Sequence, residues 1–130
     1  MFAELDRATL AALVDGLPIG LILADADDVT VLYNREAQRI FGRTPERVAE
    51  ILGTSVVECH SPQSRPAVRQ LLDDFRAGRR DEIEMDGVED VGGRTVRITY
   101  RPVRAADGRY LGTVEIVREV EPYRLAESDA

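Results

Sequence analysis

"GLPIGLILADADDVTVLYNREAQRIFGRTPERV", residues 16–48, carries the fold of this chain. After a turn at Gly16 to Pro18 comes "IGLILAD" (19–25), a compact apolar run between turn formers, which predicts a buried strand. The acidic "ADADD" turns the chain, and "VTVLYN" (29–34) reads as the hairpin partner of that strand. Asn34 then stands where a helix cap belongs, ahead of "REAQRIF" with Ala37, Ile40 and Phe41 at helical spacing and Gly42 at the end. Thr44 caps a further helix, "TPERVAEIL", with Pro45 at its first position and Gly53 as its stop.

Towards the N-terminus, Phe2, Leu5, Leu10, Leu13, Val14 and Leu17 fall close to one helical face, so residues 2–17 read as an amphipathic helix. Towards the C-terminus, Ser64 can cap the clearest helix, Pro66 falls in its first turn and Gly78 closes it. Its Val68, Leu71, Leu72 and Phe75 share a face, leaving Arg69, Asp73, Asp74 and Arg76 to water. From residue 80 the period changes to two. "DEIEMDGVEDV" alternates, "RTVRITYRPV" puts Val96, Ile98 and Tyr100 on one face, "ADGRY" is a hairpin turn, and "LGTVEIVREV" is the last strand. The order is helix, two strands, three helices, three antiparallel strands: an α+β domain with a five-stranded sheet and the helices gathered on one face. Residues 1–17 form its leading helix, 18–121 the domain, and 122–130 a polar tail.

Composition fits this reading. A chain of 130 residues, 44% hydrophobic and 32% charged, suits one globular domain. A net charge of −7 argues against nucleic acid, because no basic stripe is there to neutralise phosphates. No apolar run approaches the roughly 18 residues that span a bilayer, and the acidic start lacks a secretory core. A single cysteine suits a reducing cytoplasm.

The segments 16–48 and "ADGRYLGTVEIVREVEPYR" (106–124) together resemble a PAS domain over roughly residues 10–120. The first is similar to the family's opening: buried strand, acidic hairpin, and an asparagine starting a helix that ends in Phe-Gly. The second is similar to its last strand, with Arg118-Glu119-Val120 in place of the usual Asp-Ile-Thr exit. "ECHSPQS" (58–64) resembles a subset with Cys-His-Pro-rich residues before the long helix. The resemblance implies a sensory or signal-transduction module with a ligand or cofactor between the long helix and the sheet. It also implies a homodimer through the N-terminal helix and an effector domain or partner protein downstream.

Cys59 and His60 are the chain's only cysteine and histidine. One reading is structural: an inert thiol and a loop-bracing imidazole. A second is haem b, with His60 as axial iron ligand; Val68, Leu72, Ile98, Val114 and Ile116 would be the walls, and Arg65 or Arg69 the propionate partners. Zinc wants four such ligands and is poorly served by one of each. A flavin photosensor is disfavoured because the last two strands carry neither Asn nor Gln. A redox role for Cys59 would need exposure and a lowered pKa. Adjacent side chains point apart, so the pair makes a poor nucleophilic dyad; "GVEDVGG" lacks the lysine and helix of a phosphate loop, and no enzyme is expected. A rival to the sensor is a ligand-free interaction module with its core filled by its own side chains. With few aromatics and no tryptophan, a cavity here would be aliphatic-lined, suiting haem, a fatty acid or an empty core.

Overall fold

A computed structural model describes residues 3–91 and 94–120. The elements follow the expected order: α1 (Arg7–Asp15), β1 (Gly20–Asp25), β2 (Thr30–Tyr33), α2 (Arg35–Ile40), α3 (Pro45–Ile51), α4 (Arg65–Ala77), β3 (Ile83–Val91), β4 (Arg94–Arg104) and β5 (Tyr110–Glu119). The strands form one antiparallel sheet in the order β2-β1-β5-β4-β3, so the last strand in sequence is the middle strand in space. Every residue from Gly20 to Asp25 pairs with β5, in register from Val117 to Gly112.

Alternation along these strands sets what faces the helices. Ile98 of β4 lies opposite Val117 of β5, and Tyr100 opposite Glu115. On β1, Gly20 and Ile22 oppose the same Val117 and Glu115. Val96, Ile98 and Val117 are buried against Ile40 of α2, with Phe41 and Tyr100 packed around them. Phe75 and Leu72 of α4 are buried too, which matches the apolar face expected of that helix. Two glycines make the close approaches possible. A Cβ at Gly20 would stand 2.9 Å from the Ala37 Cα, and one at Gly112 would drive into the Ala24 carbonyl oxygen across the β1–β5 pair.

Asn34 does more than cap α2. Its Oδ1 accepts from the Ala37 amide at 3.0 Å and from the Leu21 amide at 2.8 Å. Its amide nitrogen donates to the Val14 carbonyl at 2.8 Å and the Ile19 carbonyl at 3.0 Å. One fully buried side chain thus ties α1, the entry to β1 and the start of α2 together.

Three expectations need correction. The first helix begins at Arg7 rather than nearer the N-terminus, and it ends at Asp15, ahead of the turn at Gly16: Asp6 adopts an extended backbone and accepts from the Thr9 amide at 2.7 Å, which starts the helix there. Phe2 lies outside the described residues, as does the tail from 122. Ser64 sits at the cap of α4 but makes no capping bond: its backbone is already helical (φ −86°, ψ −19°) where the other caps are extended, and its hydroxyl lies 3.1 Å from that of Ser61. Asp74 does not face water. Its carboxylate is taken up by the Arg79 guanidinium at 2.8 Å, Gln70 at 2.9 Å and Arg80 at 3.4 Å, so the charge is compensated where it is buried.

Candidate functional site

Past α3 the chain runs back along the edge of β2. The Gly53 amide donates to the Thr30 carbonyl at 2.8 Å, the Thr30 amide to Thr54 at 2.9 Å, and the Val56 amide to the Asp28 carbonyl at 2.8 Å. This edge pairing carries the loop across the helix side of the sheet. Between it, β1, β2 and β5 lies a cavity of about 210 Å3. Ile22, Phe41, Ile51 and Val56 make its apolar wall, and Glu115 projects into it from the central strand.

Glu115 is the chemically unusual member. Burial pushes its carboxyl up from 4.5 to about 7, and the hydrogen bond from the Tyr100 hydroxyl opposes the shift only in part. Tyr100 is raised as well, first by burial and then by the carboxylate beside it. No arginine of the described residues compensates Glu115, in contrast to Asp74, which the Arg79 hydrogen bond holds below the ordinary carboxylate range. A carboxyl with two acceptor oxygens and one internal donor has capacity left for a guest. Nearer the mouth stands Tyr33, raised by burial, its hydroxyl hydrogen-bonded to the exposed Arg43 and within electrostatic reach of Glu115. The wall is therefore apolar, with a carboxyl at the floor and a guanidinium at the rim.

Cys59 and His60 both line this cavity. The Cys59 thiol is exposed and lies 3.6 Å from the Thr54 hydroxyl. His60 Nδ1 is 2.8 Å from the Val56 carbonyl; a carbonyl only accepts, so Nδ1 is the donor in this bond. The Arg65 guanidinium donates back to the carbonyls of His60 at 3.1 Å and Glu58 at 3.3 Å. The pair is thus braced by its own loop. On its other side His60 borders a second, more apolar groove of about 390 Å3 between α4 and the β3–β4 edge, with Val68, Leu71, Ile83 and Tyr100.

The residues expected to surround a cofactor are only partly brought together. His60 and Val68 meet at the α4 groove. Leu72 and Ile98 are packed in the core. Arg65 is committed to the loop carbonyls, and Arg69 is exposed on α4 and borders neither cavity. Val114 and Ile116 are corrected outright: they alternate with Thr113, Glu115 and Val117, so they project from the sheet face opposite the helices. Period-two reading would have shown this once Val117 was recognised as inward. The residues missed were Glu115, Tyr100, Tyr33 and Arg43. The available signal was "VEIV" itself, where a lone acid stands in an apolar strand at the inward position.

A family model described as "PAS domain" matches residues 10–121. Among proteins of curated function none matches the sequence. Of solved structures, the C-terminal domain of a Streptococcus mutans protein is similar at 28% identity, covering 94% of this chain and 92% of that one with a TM-score of 0.77. The PAS domain from Bordetella pertussis BvgS shares the fold at 21% identity and a TM-score of 0.67, over 92% of this chain and 88% of its own. A sensory box sensor histidine kinase from Vibrio cholerae does so at 17% identity and 0.61, over 90% and 93%.

Proposed function

Since the chain belongs to the PAS domain family, we propose that it is a sensory module whose small-molecule ligand occupies the cavity floored by Glu115. One observation carries this: a half-buried carboxyl on the central strand, with the Tyr100 hydroxyl as its donor and open space before it. Burying such a group without full hydrogen bonding costs stability, which a ligand supplying donors recovers on binding. The signal path follows from connectivity. β5 pairs with both β1 and β4, and Asn34 couples the start of β1 to the end of α1, so a ligand that shifts Glu115 acts on elements leading to both ends of the domain.

The same reading takes the chain as a receptor rather than a catalyst, working as a homodimer in a reducing, cytoplasmic setting. Leu10 and Leu13 of α1 are 47% and 55% exposed, an apolar face that a second copy would cover. A downstream effector domain or partner protein would receive the signal. Among the described residues no helix is long and apolar enough to cross a membrane.

The test is a fragment screen by ligand-observed NMR, run in parallel on the wild type and on Ile22→Phe, which fills the cavity. Fragments that bind the wild type and not the variant support the reading. Equal binding to both removes the cavity as the site, and no binding to either favours the ligand-free interaction module.

Haem b on His60 is a second reading, favoured by the Nδ1–H bond to the Val56 carbonyl, which leaves Nε2 as the nitrogen that would meet the iron. Against it stand the outward Val114 and Ile116, the committed Arg65, and the modest size of both spaces beside the imidazole. A Soret band on adding haem that His60→Ala weakens or shifts would establish it; an unchanged spectrum would leave Cys59 and His60 as structural parts of the cavity wall.

A further inference from the structure

Resting on the reading of the Glu115 cavity as the ligand site, we infer that the ligand is a compact organic ammonium compound of α-amino-acid type, its ammonium on Glu115 and its carboxylate towards Arg43. The cavity has unlike ends. Glu115 faces the space with its acceptors only partly used by Tyr100, and no cation of the described residues stands beside it. A guest cation with several N–H donors meets that need, whereas a guest turning a carboxylate towards Glu115 would be repelled by it. At the other end the Tyr33 hydroxyl is held by the exposed Arg43 guanidinium, a fork suited to a carboxylate. Between the ends the surface is aliphatic and aromatic, from Ile22, Phe41, Ile51 and Val56, and takes a short hydrocarbon body.

Size narrows the class. A volume of about 210 Å3 corresponds to about seven waters at ~30 Å3 each. That takes the whole of a small branched amino acid or amine, whereas a nucleotide or an extended lipid would have to project from its mouth. The α4 groove, more apolar and opening on the other side of His60, lacks an acid at its floor and does not share this chemistry.

Three probes separate the parts of the proposal: L-valine, isobutylamine (the same skeleton without the carboxylate) and isovalerate (the same skeleton without the amine). Titrated calorimetrically into the whole chain, L-valine is expected to bind tightest, isobutylamine about tenfold weaker, and isovalerate weaker again by about tenfold or more. Glu115→Gln, which keeps the side-chain volume, is expected to lower affinity for the two amines by about tenfold or more while leaving isovalerate no weaker. Arg43→Gln is expected to reduce L-valine to the level of isobutylamine. Isovalerate binding as well as either amine overturns the inference, as does failure of all three at about 10 mM. In that last case the fragment comparison with Ile22→Phe separates the causes. Fragments lost only from the variant leave the cavity as the ligand site with the wrong ligand class, whereas no cavity-dependent fragment removes both readings.

Discussion

Glu115→Gln reports on the cavity through stability as well as binding. In the folded chain the carboxyl is pushed up to about 7, against 4.5 for the free side chain. Between those values the folded protein holds a proton that the unfolded chain has released. Stability therefore falls as pH rises, by about 1.4 kcal/mol per pH unit. The favourable contribution is complete below about 4.5 and fully lost above about 7, so from pH 5 to pH 8 the wild type loses about 2–3 kcal/mol that this one group controls. Glutamine has the same shape and no titration, so Glu115→Gln removes that slope. Urea denaturation at pH 5, 6, 7 and 8 measures it. The variant's stability relative to wild type is expected to rise by about 2–3 kcal/mol across the series. The carboxylates of Asp6 and Asp74 are held low by hydrogen bonds, from Thr9 and from Arg79, so their transitions lie on the acid side of this window. Curves that run parallel within about 0.5 kcal/mol would refute a desolvated, under-compensated Glu115 and with it the argument that the cavity awaits a donor.

Asn34→Ala removes four hydrogen bonds and strands buried partners on three elements; a loss of about 3 kcal/mol in urea denaturation is expected, with Asn34→Asp intermediate because it keeps both accepting bonds and loses both donations. Gly112→Ala places a Cβ against the Ala24 carbonyl where β1 and β5 pair, and should cost more than about 2 kcal/mol or prevent folding, read from soluble yield and the thermal midpoint. A Leu10→Glu and Leu13→Glu double variant should convert a dimer to a monomer in sedimentation with less than about 1 kcal/mol change in the stability of the fold, since both side chains are already exposed; a monomeric wild type would remove the proposed interface.

Local chemistry in the sequence determined the elements. Asn34, Thr44 and Gly78 stand at helix ends where the structure puts them, because caps and left-handed closures are decided within a few residues. The switch from a 3.6-residue to a two-residue period after residue 80 likewise marked β3 to β5 without tertiary information. Cys59 and His60 were legible as cavity-side residues only through the family resemblance, and their companions were misjudged. Which of Val114, Glu115 and Ile116 faces the helices depends on β5 pairing between β1 and β4, contacts across about 90 residues of chain in one case and a hairpin in the other. An isolated "VEIV" looks like an apolar strand with one acid turned to water, just as Asp74 looks like a solvated helix residue. The tertiary fold decided both against that expectation and with opposite outcomes. Asp74 is buried beside Arg79 and Arg80, so its charge is compensated. Glu115 is half-buried beside Tyr100 and open space, so its charge is left in want of a partner.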